Sequence, residues 1–212
     1  MGSSYWLMEV LLALAALLVA SQFWLIARDP RQARAPALLM IAGQLALALA
    51  AFAGAYRYGI NPHSTALHHT LSQLSSVTTF LSAGIALLWA RVEAATASRG
   101  AMLVAVALLV ALALGGTLMP AAAVRECSAL GLLLWLVVAL FEVSGRRRLP
   151  ARLALPLAMG AALVIFAGLA IGTGAMRVLG LARTNWFHLL LAAGALSLLC
   201  ARPLFARGGQ NG

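Results

Sequence analysis

The chain has 212 residues, of which 63% are hydrophobic and 9% charged. A soluble domain is about half apolar and about a quarter charged, so a water-soluble globule, a disordered chain and a disulfide scaffold are excluded. The formal charge of +10 rests on 15 basic residues, all arginine; they lie between long apolar runs rather than in one patch, which excludes a nucleic-acid partner.

A helix crosses the roughly 30 Å hydrocarbon core with about 20 apolar residues, and lipid cannot satisfy a bare backbone, so spans must be helical. Seven stretches meet this demand: Trp6–Ala27, Ala37–Tyr56, Thr70–Ala90, Ala101–Met119, Ser128–Val143, Leu153–Gly172 and Trp186–Phe205. The loops between them are too short to fold as modules. Residues 1–212 are therefore expected to form one all-α domain, a polytopic seven-transmembrane-helix bundle.

The first span carries Glu9 about one turn in, and Arg28, Arg31 and Arg34 follow it directly. Its long apolar core and lack of a positive leader mark a retained helix rather than a cleavable signal peptide. Glu9 has two readings. It is solvated or paired with Arg57 or Arg183 at the headgroup level, or it points inward as a proton acceptor or metal ligand. The second span ends on Tyr56, Arg57 and Tyr58, with Asn61 and His63 after it.

The third span holds the densest polar set, and intramembrane polar residues carry the most information. His68, Ser72, Ser75, Thr79 and Ser82 recur at spacings of four and three and make one helical face. His69, Gln73 and Ser76 flank it, and the face of Leu74, Val77 and Leu81 is apolar. The hydroxyls read either as interhelical glue or as the wall of a polar cavity.

Gly115 and Gly116 allow the fourth span a close approach. Arg125 and Glu126 lead into the fifth, which is short and closes at Arg146–Arg148, with Glu142 as an interfacial ion-pair partner. The sixth has Pro156, Gly160 and a Gly168/Gly172 small-residue pair, with Gly174 beyond. Asn185 and His188 open the seventh. Cys127 and Cys200 fall at opposite membrane faces, beyond disulfide reach. A P-loop, a dinucleotide fingerprint, HExxH and CxxC are all absent from the sequence, as is a lysine for a retinal Schiff base.

Eleven of the 15 arginines fall on one side of the bundle and four, Arg57, Arg125, Arg177 and Arg183, on the other. The positive-inside rule then places the N-terminus outside and the C-terminus in the cytoplasm. All four histidines, His63, His68, His69 and His188, fall on the outer face. Arginine in place of lysine and the Ala/Leu bias suggest a bacterial inner membrane.

The string Asn185-Trp186-Phe187-His188-Leu189-Leu190-Leu191-Ala192-Ala193-Gly194 resembles the last helix of the CREST superfamily, the seven-helix group of alkaline ceramidases, adiponectin receptors and bacterial haemolysin-like proteins. The order of features is also similar: Ala53-Gly54-Ala55-Tyr56-Arg57-Tyr58-Gly59 before a short loop, then Leu71-Ser72-Gln73-Leu74-Ser75. The pattern is most similar to uncharacterised bacterial members, which also place an acidic residue, here Glu9, before the first apolar run. The resemblance implies a zinc site in catalytic members, built from a Ser and a His near the end of the second helix, an Asp on the third and two His on the seventh. There zinc activates water to cleave a lipid amide. Position by position, Gly54, approximately Tyr58, Ser75 and Thr184 stand where the family has functional side chains, and His188 alone keeps its identity.

Three functions are expected in order. The first is a non-catalytic integral membrane protein that binds membrane lipid or a quinone-like molecule, or serves as a subunit of a membrane complex. The second is a zinc-dependent lipid hydrolase, its ion held by His68 or His69, His188 and Glu9. The third is haem ligation by His68 or His69 with His188. The candidate ligand-binding residues are Glu9, Tyr58, Ser72, Ser75 and Asn185, and the candidate metal ligands are His68, His69 and His188.

Overall fold

The structure, a computed structural model, describes residues 5–29, 32–92, 99–144 and 148–206. Arg31, Arg146, Arg147 and Arg207, counted above for charge, lie outside the described residues, as does the side chain of Arg99. Seven helices are long and apolar enough to cross a membrane. They are α1 (Tyr5–Arg28), α2 (Arg34–Gly59), α3 (Thr65–Val92), α4 (Arg99–Leu118), α5 (Ala121–Val143), α6 (Ala151–Phe166, continued by a π-helical turn at Ala167–Ile171) and α7 (Arg183–Ser197). A 3₁₀ turn, Leu198–Ala201, and a short α8, Arg202–Phe205, extend the last one.

The fifth helix is longer than the hydropathy pattern predicts. It starts behind Pro120, whose extended backbone (φ −65°, ψ 152°) leads into a run of good helix formers. Arg125 and Glu126 are exposed on its surface and do not interrupt it. One small β element interrupts the all-α pattern. β1 (Arg177–Val178) pairs antiparallel with β2 (Leu181–Ala182) between α6 and α7. Its turn residues Leu179 and Gly180 both have positive φ, 49° and 81°, the geometry a two-residue hairpin turn of the primed type requires.

Small side chains let α1 and α2 approach closely: Ala13, Ala16 and Ala20 on one, Ala37, Ala48 and Ala51 on the other, are all buried. Glycines also allow close contact at other crossings. A Cβ on Gly84 would strike the backbone of Gly131, and one on Gly131 the backbone of Phe80 and Leu81, so α3 and α5 touch backbone to backbone. Gly160 and Gly194 bring α6 and α7 together by leaving room for the side chains of Ser197 and Val164. The predicted Gly168/Gly172 seam is not one: Gly168 faces open space, and Gly172 (φ +61°) ends the helix. At the far end, Phe23 packs edge-on against Phe205 at 4.8 Å, and Ala33 N–H donates to Phe205 O at 2.9 Å.

The polar face of α3 divides along its length. Towards its C-terminal half it is glue: Thr79 Oγ1 donates to Gly43 O on α2 at 3.0 Å, and Ser82 donates within its own helix to Thr78 O. The apolar face is also covered, since Val77 is buried with Leu112 and Val124. Replacing Thr79 by Val keeps the volume and removes the interhelical bond. The expected loss is about 0.6 kcal/mol, with 1–2 as the upper range, read as a small drop in the detergent-solubilised unfolding midpoint.

Glu142 is an ion-pair partner, as its position at the end of the fifth span suggests. It is fully buried and forms an ion pair with Arg91 on α3. Its other oxygen accepts backbone N–H groups from Arg148 at 2.7 Å and Leu149 at 2.8 Å. One carboxylate thus ties α3, α5 and the entry to α6.

Candidate functional site

The N-terminal ends of α1, α3 and α7 and the C-terminal end of α2 surround a cavity of about 330 Å³. Glu9, Tyr58, His68, Ser72, Ser75 and His188 all line it. Leu12, Leu47, Ala50, Ala51, Phe80 and Leu191 supply its apolar wall. Leu47 and Phe80 lie some three to four helical turns in from the ends of α2 and α3, so the hollow reaches deep into the bundle.

Of the two readings of Glu9, the structure shows the inward one. The side chain is 2% exposed, and its Oε1 stands 3.6 Å from His188 Nε2. That distance lies in ion-pair range but is longer than a hydrogen bond. Neither Arg57 nor Arg183 is its contact: Arg57 stacks over the Tyr58 ring at 5.0 Å, and Arg183 donates to the carbonyls of Ile171 and Ala170 at the end of the π-helical turn. Glu9 has room because residue 54 has no side chain. A Cβ at Gly54 would lie inside the Glu9 carboxyl group.

Two buried polar atoms of this pair, Glu9 Oε1 and His188 Nδ1, have no hydrogen-bond partner among the described residues. The α3 wall is partly satisfied. Ser72 Oγ lies 3.5 Å from His68 Nδ1, Ser75 Oγ 3.0 Å from Thr79 Oγ1, and Ser76 Oγ donates to Ser72 O at 2.8 Å. At the rim, Tyr58 meets Tyr5 edge-on at 5.5 Å and His68 at 5.8 Å.

Not every candidate is here. His69 and His63 are exposed and away from the lining. Asn185 is buried at the start of α7 but is not a lining residue. Cys127 and Cys200 are both free thiols. Among the described residues, no three His, Cys, Asp or Glu side chains gather closely enough to hold a metal ion, so the set Glu9, His68 or His69, and His188 does not form a ligand cluster.

Two threonines contribute too, of which Thr173 was not singled out from the sequence. Thr173 and Thr184 line the cavity, and Thr184 Oγ1 accepts the Gly174 N–H at 2.9 Å. Below the cavity floor, Gln44 is buried beside a much smaller void that shares Leu47, Phe80 and Leu191 with it. A lone Gln inside the apolar second span was the available signal.

No family model, curated protein or solved structure matches the chain.

Proposed function

We propose that this is a multi-pass protein of a bacterial inner membrane that holds a lipid or another small hydrophobic molecule in the α1–α2–α3–α7 cavity without transforming it, alone or as a subunit of a membrane complex. The observation that carries this reading is the cavity itself: about 330 Å³, within the range of small-molecule sites, apolar in depth and polar at one end. An amphiphile has the same division.

The proposed scaffold is ceramidase-like. Its support is that Tyr58, Ser75, Thr184 and His188, positions assigned from short sequence strings, all border this one cavity, while Gly54 backs onto Glu9. The zinc chemistry of that family does not transfer: His188 is the single metal-binding type kept at those positions, and the described residues offer no three-ligand group. We place the cavity on the outer side of the membrane, with the N-terminus outside and the C-terminus in the cytoplasm, because the sequence assigns eleven of the 15 arginines to the loops and tail of the opposite side.

Ala51 is buried against the cavity, and Ala51→Phe would fill much of it. Lipid extracted from purified protein and quantified by mass spectrometry should show a bound amphiphile in near-stoichiometric amount in the unsubstituted chain and a loss of about tenfold or more in Ala51→Phe, with the circular dichroism unchanged. Equal recovery from both proteins, or stoichiometric metal or haem instead, contradicts the reading.

A further inference from the structure

We infer that the cavity selects an uncharged head group that both donates and accepts hydrogen bonds, of the hydroxyl class, and rejects phosphate, carboxylate and ammonium heads. This rests on the reading of the cavity as an amphiphile site and adds the chemistry of the head.

The inference comes from counting charges and open hydrogen-bond valences around the polar end. Among the described lining residues, Glu9 is the single acid and no arginine is present. Two cationic side chains stand outside the lining: Arg57 over the Tyr58 ring at the rim, from where its charge reaches Glu9 and His68, and Arg183 on two backbone carbonyls. Glu9 and His188 face each other at 3.6 Å. An acid beside an imidazole is neutral as a unit both as an ion pair and with the two groups uncharged. A charged head entering this site would lose its hydration and meet no uncompensated opposite charge among the described lining residues, which is costly in a low-dielectric interior.

The open valences point the same way. Glu9 Oε1 and His188 Nδ1 are buried, border the cavity and lack hydrogen-bond partners among the described residues. Glu9 Oε1 accepts when it is a carboxylate oxygen, and His188 Nδ1 donates or accepts according to its protonation and tautomer, so a group with only acceptors, or only donors, leaves one of the two atoms unserved in at least one arrangement. A hydroxyl serves both, because it donates one bond and accepts two. The Ser72 hydroxyl on the α3 wall, 3.5 Å from His68 Nδ1, adds a further adaptable group. The volume of about 330 Å³ is at the small end for ligand sites, which suits one chain rather than two.

The test uses full-length protein in detergent at neutral pH with three probes of equal chain length: 1-decanol, decanoate and decylamine. Ala51→Phe serves as the blocked control for effects on the micelle. Decanol should raise the unfolding midpoint by about 3 °C or more near saturation, with no rise in Ala51→Phe, while decanoate and decylamine give less than a third of that shift. Glu9→Gln is neutral and keeps a donor and an acceptor, so it should hold decanol within about threefold of the original affinity; Glu9→Leu should lose about tenfold or more. If Glu9→Gln does not fold, Ser72→Ala replaces it, with an expected loss of a few-fold for decanol alone. A shift with decanoate or decylamine equal to that with decanol overturns the head-group inference and leaves the binding reading standing. Loss of decanol binding in Glu9→Gln to the level of Glu9→Leu also overturns it, because the carboxylate charge would then be the determinant. No shift with any probe overturns both.

Discussion

Glu142→Ala should cost about 3–5 kcal/mol, the penalty for breaking a buried ion pair by removing one partner. The carboxylate holds Arg91 and two backbone N–H groups at once, so its removal takes one acceptor group away from all three. Arg91 also sits over the Phe141 ring at 5.5 Å, which keeps its guanidinium near the vacated site. In thermal unfolding of the detergent-solubilised protein this corresponds to a fall of roughly 10 °C for a chain of this size. Glu126→Ala, on an exposed carboxylate of the same helix, should move the midpoint by less than about 2 °C. The pair Arg91→Met with Glu142→Leu should recover much of the loss, since apolar replacement of both partners removes the uncompensated charge. A drop for Glu142→Ala no larger than that for Glu126→Ala would show that the three-way tie does not hold the helices.

Gly54→Val is the second large effect. Its Cβ would occupy the position of the Glu9 carboxyl group, which can make room only by swinging further into the cavity it lines. Overpacking of this kind costs about 1–3 kcal/mol. The informative result is the suppressor. Glu9→Ala removes the obstructing carboxyl, so the double variant Glu9→Ala/Gly54→Val should regain most of the stability lost by Gly54→Val alone. Double-mutant analysis should give a coupling of about 1–2 kcal/mol. Additive losses would mean that residues 9 and 54 do not meet.

The bundle was legible because hydrophobic run length is a strong signal in lipid. Glu9 and His188 were legible because an ionisable residue inside an apolar span is rare and meaningful. The wall of α3 was legible as a periodic stripe, yet its division into cavity wall and glue was not. That division depends on where Gly43 lets α2 approach, and a glycine's partner is invisible from one sequence. Gly168 shows the same limit: the spacing to Gly172 suited a packing seam, but the helix ends there and the face is open. That Glu142 is an ion-pair partner is legible in the sequence, but its partner is not: α3 and α5 end together and bring Arg91 to it from 51 residues away. His69 illustrates helical phase. It is one residue from His68, about 100° around the helix, and this is enough to place it outside the cavity.

The measurement that bears most directly on the account is an experimental density map of the purified protein in lipid nanodiscs. It should show an elongated feature between α1, α2, α3 and α7, its tail against Leu47 and Phe80 and its polar end within hydrogen-bonding distance of Glu9. A collapsed hollow, with Glu9 turned out to lipid and no feature between those four helices, would contradict the account.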